Sequence, residues 1–286
     1  MLGSPLPAPA SPLAALASPL PPTSWLLYPT PNYIFIDTLG DTEHHLVLIV
    51  DSDVVGLDLE SWDNPNCPKL SKAQKRQKCE DKIRHAAMFT PDWTKVNVCV
   101  AQIATISGAT YVLHLKSMAA LPTEFICICK SLHILKVAAG IYSDGQRLWD
   151  NFYLNLYGAV SLGLAAVLAY PKDLNCNLPY GNEPGLPIFI KHVLNYELRK
   201  ELQMSQWNTI PLLQVQQDYA AADAHALLAS YLTIQEELQD CGFVVDPTWY
   251  WFDIVKRVRV KEGSLKEEGW KSTMPLVVQR WNIHGT

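Results

Sequence analysis

The chain has 286 residues, 49% hydrophobic and 18% charged, with a formal net charge of −5. That is ordinary globular composition, enough for one large domain with a sizeable core or two small ones, and its acidity argues against a generally basic nucleic-acid binder. Seven cysteines, an odd number without a C-x-x-C pair, argue against a full disulfide framework and a zinc knuckle, and for a reducing, intracellular setting in the nucleus or cytoplasm.

Residues 1–23, "MLGSPLPAPASPLAALASPLPPT", are rich in Pro, Ala and Ser and lack the basic start of a signal peptide. They are expected to form a disordered leader. "NYIFIDT" reads as a strand and "DTEHHLVLIV" as a short helix. "VVGLDLE", residues 54–60, reads as a central, mostly buried strand. A polar insertion follows over about 61–95. It contains "KLSKAQKRQKCEDKIR", residues 69–84, after a stretch with no Lys or Arg before Lys69. "VCVAQIAT" and "ATYVLHL" are two more strands around a Ser107-Gly108 turn, which completes a three-strand meander.

The pattern then changes to strand–helix alternation. "PTEFICICKSL" is helical with Pro122 at its start, "ILKVAAG" is a buried strand, and "SDGQRLWDNF" opens a helix. Residues 151–171, "NFYLNLYGAVSLGLAAVLAYP", are uncharged and near the length of a membrane span. Their Asn, Tyr, Ser and Gly content favours a buried strand–helix pair instead, so no membrane partner is expected. "GLPIFIKHVLNYEL" is a further helix. "PLLQVQQDYAAADAHALLASYLTIQEELQDCG" is the longest, with Gly242 as its stop. Residues 243–286 form a C-terminal extension with a second basic cluster, Lys256, Arg257, Arg259 and Lys261. The central domain, residues 24–242, is therefore expected to be α/β: a mixed central sheet with helices on both faces.

Four acids sit where such a fold has little use for charge. Asp58 and Glu60 alternate on one strand and so share a face, where they repel each other and lose hydration. Asp144 follows a buried strand; taken alone it reads as a helix N-cap. Tyr219 and Asp223 share a face of the longest helix at i, i+4, among alanines small enough to lie close against another surface. If the four acids converge, bound divalent cations reconcile them, because Mg²⁺ and Mn²⁺ take oxygen ligands and end the repulsion. Two such ions about 3.5–4 Å apart can clamp the attacking and leaving oxygens of a phosphoryl displacement. His225 points to another helix face and is not a candidate ligand.

Three ordered stretches carry a resemblance: "VVGLDLE" with "VCVAQIAT", "LKVAAGIYSDGQRLW", and "KELQMSQWNTIPLLQVQQDYAAADAHALLASY". Together they resemble the DEDD-type 3′–5′ exonucleases, the family of ribonuclease D and of the exonuclease domain of the Werner syndrome helicase. The third stretch is the most specific, with Lys200, Gln203, Ser205, Trp207, Pro211, Leu212, Gln216, Tyr219 and Asp223 at the family's spacing. The resemblance covers about residues 30–240 and implies a ribonuclease H-like fold.

It also implies an active site of Asp58, Glu60, Asp144, Tyr219 and Asp223. A Tyr four residues before the last Asp, with Asp218 where the other subclass carries His, marks the tyrosine subclass. The four acids are then ligands of two divalent ions, Mg²⁺ or Mn²⁺. Asp58, Glu60 and Asp223 hold the first, Asp58 is shared with the second, and Asp144 supports the second through water. Tyr219 orients the attacking water. The implied substrate is a single-stranded 3′ end of DNA or RNA, released as nucleoside 5′-monophosphates. Retention of all five residues disfavours the alternative, a catalytically weak binding or adaptor protein on the same fold. Three positions depart from the family pattern. Ser61 separates Glu60 from Trp62, the 63–95 insertion is long, and Ser161 stands where many relatives carry Asp.

Overall fold

The structure, a computed structural model, describes residues 26–49, 51–62, 91–170, 185–240 and 251–252. The leader, the basic insertion at 69–84, the Gly242 stop and nearly all of the C-terminal extension lie outside the described residues.

In chain order the elements are β1 (Leu26–Leu27), β2 (Tyr33–Ile36), α1 (Leu39–Leu46), β3 (Val54–Ser61), β4 (Val98–Thr105) and β5 (Thr110–Leu113). There follow α2 (Leu115–Met118), α3 (Thr123–Lys130), β6 (Leu135–Ala138), α4 (Ile141–Phe152), β7 (Ala159–Ser161) and α5 (Leu162–Ala169). The described chain ends with α6 (Leu186–Phe189), β8 (Tyr196–Glu197), α7 (Gln214–Asp240) and β9 (Trp251–Phe252). Seven strands form one mixed sheet in the order β2-β5-β4-β3-β6-β7-β9, with β3, β4 and β5 as the expected antiparallel meander. β6 and β7 extend the sheet in parallel from β3, and β2 joins the far edge parallel to β5. Trp251–Phe252 adds an antiparallel strand to β7, so part of the extension belongs to the sheet.

Strand alternation divides the core in two. Leu57, Leu59 and Ile103 pack on one face with Leu46, Phe125, Ile128 and Leu148, from α1, α3 and α4. Ala104, Val137 and Val160 pack on the other with Ala165, Ala224, Leu227 and Leu228, from α5 and α7. Helices thus cover both faces, as the alternation of strand and helix patterns requires. Among the described residues no helix is long and apolar enough to cross a membrane. The uncharged stretch 151–171 supplies β7 and α5, whose described residues are buried.

α7 lies close to β3 because both sides are small. A Cβ on Gly56 would stand 2.4 Å from the Ala224 carbonyl oxygen, and backbone cannot yield there as a flexible side chain could. Gly56→Ala is therefore expected to push α7 away from β3 and to lower stability by roughly 1–3 kcal/mol. Chemical denaturation of the two proteins side by side checks this; an unchanged midpoint would contradict the close approach.

Three local expectations are corrected. α4 begins at Ile141, before Ser143, because Gly140 takes a left-handed turn (φ 72°) and serves as its N-cap. Asp144 is consequently not an N-cap but lies inside the first turn. The helix expected through residue 198 stops at Leu194, where Asn195 turns left-handed (φ 59°) and frees Tyr196–Glu197 to pair in parallel with Leu26–Leu27. Finally, "ATYVLHL" ends as a strand at Leu113, and Leu115–Met118 forms a short helix.

Candidate active site

Asp58 and Glu60 lie on the β3 face that meets α7, and α7 brings Asp223 to them. One ligand oxygen from each of Asp58, Glu60 and Asp223 falls within 4.8 Å of the others. Asp144 comes from a different direction. α4 packs its apolar side into the opposite core, but its first turn starts just past the end of β6. From that edge Asp144 acts electrostatically on both Asp58 and Glu60. It stands outside the three-carboxylate group and takes a hydrogen bond from the Arg147 guanidinium at 3.2 Å.

Burial dominates the electrostatics. Glu60, 7% exposed, is pushed up to about 10 by loss of hydration, then by the charges of Asp58, Asp223 and Asp144. Asp58 is raised to about 6, again chiefly by burial, against the pull of a backbone hydrogen bond and of Arg147. Asp144 and Asp223 are both raised by burial and then by Asp58. Without cations, burial and mutual repulsion favour the protonated form of these acids.

Each folded pKa lies above its unfolded value, so the folded state binds more protons than the unfolded chain. Stability is full below the unfolded carboxylate range and declines as pH rises toward the Glu60 value of about 10. The cation-free protein is expected to lose thermal stability steadily between about pH 5 and pH 9, and the gain on adding Mg²⁺ is expected to grow over the same range. Melting curves with Mg²⁺ and with EDTA test this; a cation-free melting temperature that rises with pH would contradict it.

The donor set suits a hard cation. All ligand atoms are carboxylate oxygens, and Asp223 Oδ1 is buried with no hydrogen-bond partner. A buried acceptor left bare costs stability unless something else supplies positive charge. Asp58, Glu60 and Asp223 therefore fit a divalent ion, with Asp144 placed at its margin.

Tyr219, 8% exposed, is wedged beside Trp207, their ring centroids 5.8 Å apart. Its phenol is raised far above the ordinary range by burial, then by Asp223 and Glu60, and it donates a hydrogen bond to Asp223. It stays a proton donor at any working pH. The motif residues before it hold it there. Gln216 donates to Ser205 Oγ at 2.7 Å and to the Gln206 carbonyl at 3.1 Å, and accepts from the Leu213 amide at 3.1 Å. Trp207, fully buried, donates its indole N–H to the Gln203 carbonyl at 3.4 Å. Those side chains fix the loop entering α7, and the Ile210–Pro211 bond within it is cis. Lys200 places its positive charge near Asp223. His225, as expected, faces elsewhere, its Nδ1 2.6 Å from the Tyr28 hydroxyl. Asp218 instead accepts from the Tyr33 hydroxyl at 2.8 Å.

The Ser61 departure coincides with a break in the ladder. Glu60 pairs with Val100, but Ser61 pairs with Val98, which leaves Cys99 as an extra residue on β4. Such bulges re-aim side chains beside active sites. Here Trp62 packs against the group that holds Trp207 and Tyr219. Ser161, where relatives carry Asp, is buried at the end of β7.

Two residues at the site were not singled out from sequence. Gln102 stands directly across from Asp58, fully buried, with neither amide atom partnered. Arg147 is the cation whose charge acts on Asp58, Glu60 and Asp144. The register of the meander would have found the first, and i, i+3 spacing from Asp144 the second.

An α/β sheet with buried acids converging beside a helix is an arrangement suited to holding a divalent cation. Residues 92–239 match the 3′-5′ exonuclease family, and the chain belongs to that family. The mouse bifunctional 3′-5′ exonuclease/ATP-dependent helicase WRN is 29% identical over 183 residues, 63% of this chain and 11% of that protein. The chain thus spans about a tenth of that relative's length. Among solved structures, the Nibbler EXO domain of Aedes aegypti aligns with TM-score 0.56 at 17% identity, over 76% of this chain and 92% of that one. Escherichia coli RNase D, an exoribonuclease, aligns with TM-score 0.54 at 15% identity, over 74% of this chain and 47% of that one. These likenesses show the fold, the ribonuclease H-like α/β architecture expected from the motifs.

Proposed function

We propose that this chain hydrolyses the terminal phosphodiester bond at single-stranded 3′ ends of DNA or RNA, releasing nucleoside 5′-monophosphates. The observation that carries the reading is the convergence of Asp58, Glu60 and Asp223 within 4.8 Å, with Tyr219 bonded to Asp223. Family membership supports the reaction class. Asp58, Glu60 and Asp223 would hold the divalent ions, two Mg²⁺ or Mn²⁺, with Asp144 supporting them from the margin. Bound there, they supply Lewis acidity for water activation and charge for the departing oxygen.

The chain's own residues do the rest. The attacking water gives a proton to solvent as its oxygen bonds to phosphorus, and the bond from phosphorus to the 3′ oxygen of the penultimate nucleotide breaks. That oxygen leaves as the new 3′ hydroxyl after taking a proton from solvent. Tyr219 lines up the water by its phenol. Trp207 and the Gln216 bonds keep the phenol in place, which limits misorientation. Trp62 packs against the apolar group that contains Trp207 and Tyr219. The chain is proposed to act inside the cell, in the nucleus or cytoplasm; the odd number of cysteines, without a C-x-x-C pair, supports a reducing compartment.

Digestion of 3′-labelled and 5′-labelled RNA and DNA strands, with Mg²⁺, Mn²⁺ or EDTA, tests this. Labelled mononucleotide should appear first from the 3′ label, and EDTA should stop the reaction. Release of mononucleotide first from the 5′ label, or internal cuts, would overturn it.

A further inference from the structure

We propose that Arg147 is a substrate-contacting residue: its guanidinium leaves Asp144 and grips a backbone phosphate of the strand entering the acid cleft. The inference deepens the exonuclease reading and rests on it.

The geometry carries it. Asp144 is 5% exposed and Arg147 43% exposed, one helical turn apart on α4. The arginine therefore stands between solvent and the buried acid, and an incoming strand meets it first. Its guanidinium makes one hydrogen bond among the described residues, from Nη1 to Asp144 Oδ1 at 3.2 Å. A guanidinium has five donors in a planar fork that fits a phosphate with two parallel bonds. Most of that fork is uncommitted.

The exchange also makes electrostatic sense. A cleft of buried acids repels a polyanion, and the chain's net charge is −5. Only the arginine side of the pair is exposed, so the guanidinium can turn to solvent once another positive charge compensates the buried Asp144. While the cleft is empty, Arg147 offsets part of the repulsion among Asp58, Glu60 and Asp144, which all feel its charge. Once cations take over that task, Arg147 is released for a phosphate, and Asp144 is released for the cation side. Arg147 thus changes partner on substrate entry rather than simply propping up Asp144.

The test uses the full chain with Arg147→Gln and Arg147→Lys. Substrates carry the natural backbone, or one uncharged methylphosphonate at each of the last three linkages in turn. Arg147→Gln is expected to lower kcat/KM by about 10–100-fold on the natural strand. That loss is expected to shrink below about threefold when one particular linkage is neutral, because the phosphate charge that Arg147 reads is then absent. Arg147→Lys is expected to recover part of the loss, since charge remains but the fork is gone. Mn²⁺ affinity without nucleic acid, measured by calorimetry, is expected to stay the same or tighten slightly. An equal loss on every methylphosphonate strand, or a loss that follows weakened Mn²⁺ binding, would overturn the proposal in favour of a purely supporting role at Asp144. If the wild-type chain released no 3′ nucleotide, the exonuclease reading would be the part that fails. The phosphate contact is then judged by strand binding with Ca²⁺ in the cleft. Arg147→Gln should reduce the slope of log affinity against log salt by about 1, and an unchanged slope would overturn it.

Discussion

Asp223→Asn is expected to abolish 3′-end hydrolysis while raising the stability of the cation-free protein. The substitution keeps the shape of the side chain and removes one charge from a group of three carboxylates within 4.8 Å. Two effects separate cleanly. Loss of a ligand that serves only the charged, cation-loaded state should cost on the order of 10³-fold in kcat. Loss of a buried charge whose pKa is raised by burial and by Asp58 relieves repulsion in the empty cleft. The melting temperature without cations should rise, by about 2–4 °C for each kcal/mol relieved. Asp58→Ala should behave alike in activity. Its stability gain should be smaller, because Asp58 is only half-buried and its pKa is raised only to about 6. An active Asp223→Asn protein would remove the cation site from the mechanism. A destabilised one would show that Asp223 is chiefly a structural partner of Tyr219.

Tyr219→Phe is the second large effect. The ring packs against Trp207, so removing only the hydroxyl keeps the packing. The phenol stays protonated, and its hydrogen bond goes to Asp223. Its task is orientation, worth about 10²-fold in kcat. Strand binding and Mn²⁺ affinity should change little. Single-turnover rates and binding constants for the two proteins decide this. An unchanged rate would leave Tyr219 as a core aromatic, and weakened binding with an unchanged rate would make it a substrate contact.

The four acids were legible in the sequence for a physical reason, whereas the role of Tyr219 came only with the family resemblance. Buried strands and Ala-rich helix faces tolerate acids poorly, so Asp58, Glu60 and Asp223 stood out as charges against local pattern. Asp144 was legible as a strand-end acid but was misread alone as a cap. The left-handed turn at Gly140 depends on backbone geometry that no periodicity reports. The mixed sheet was legible from alternation, whereas the place of Trp251–Phe252 at its edge was not, since two residues carry no pattern. The partners of Arg147 and Gln102 were hidden for another reason. Neither breaks a local rule, and their meaning arises only once α4 and β4 are set beside β3. Trp62 lies between these cases. Its displacement by Ser61 was visible, but its packing against the group of Trp207 and Tyr219 needed the ladder break at Glu60.

The central claim is that the acid cleft holds divalent cations through Asp58, Glu60 and Asp223. Its most direct test is a Mn²⁺ titration of the full chain at about pH 8 without nucleic acid, with free Mn²⁺ followed by electron paramagnetic resonance. Two ions should bind per wild-type chain, and Asp223→Asn should lose at least one of them while remaining folded. Wild-type protein that leaves all Mn²⁺ free at millimolar concentration, or Asp223→Asn protein that binds as wild type does, would contradict the claim.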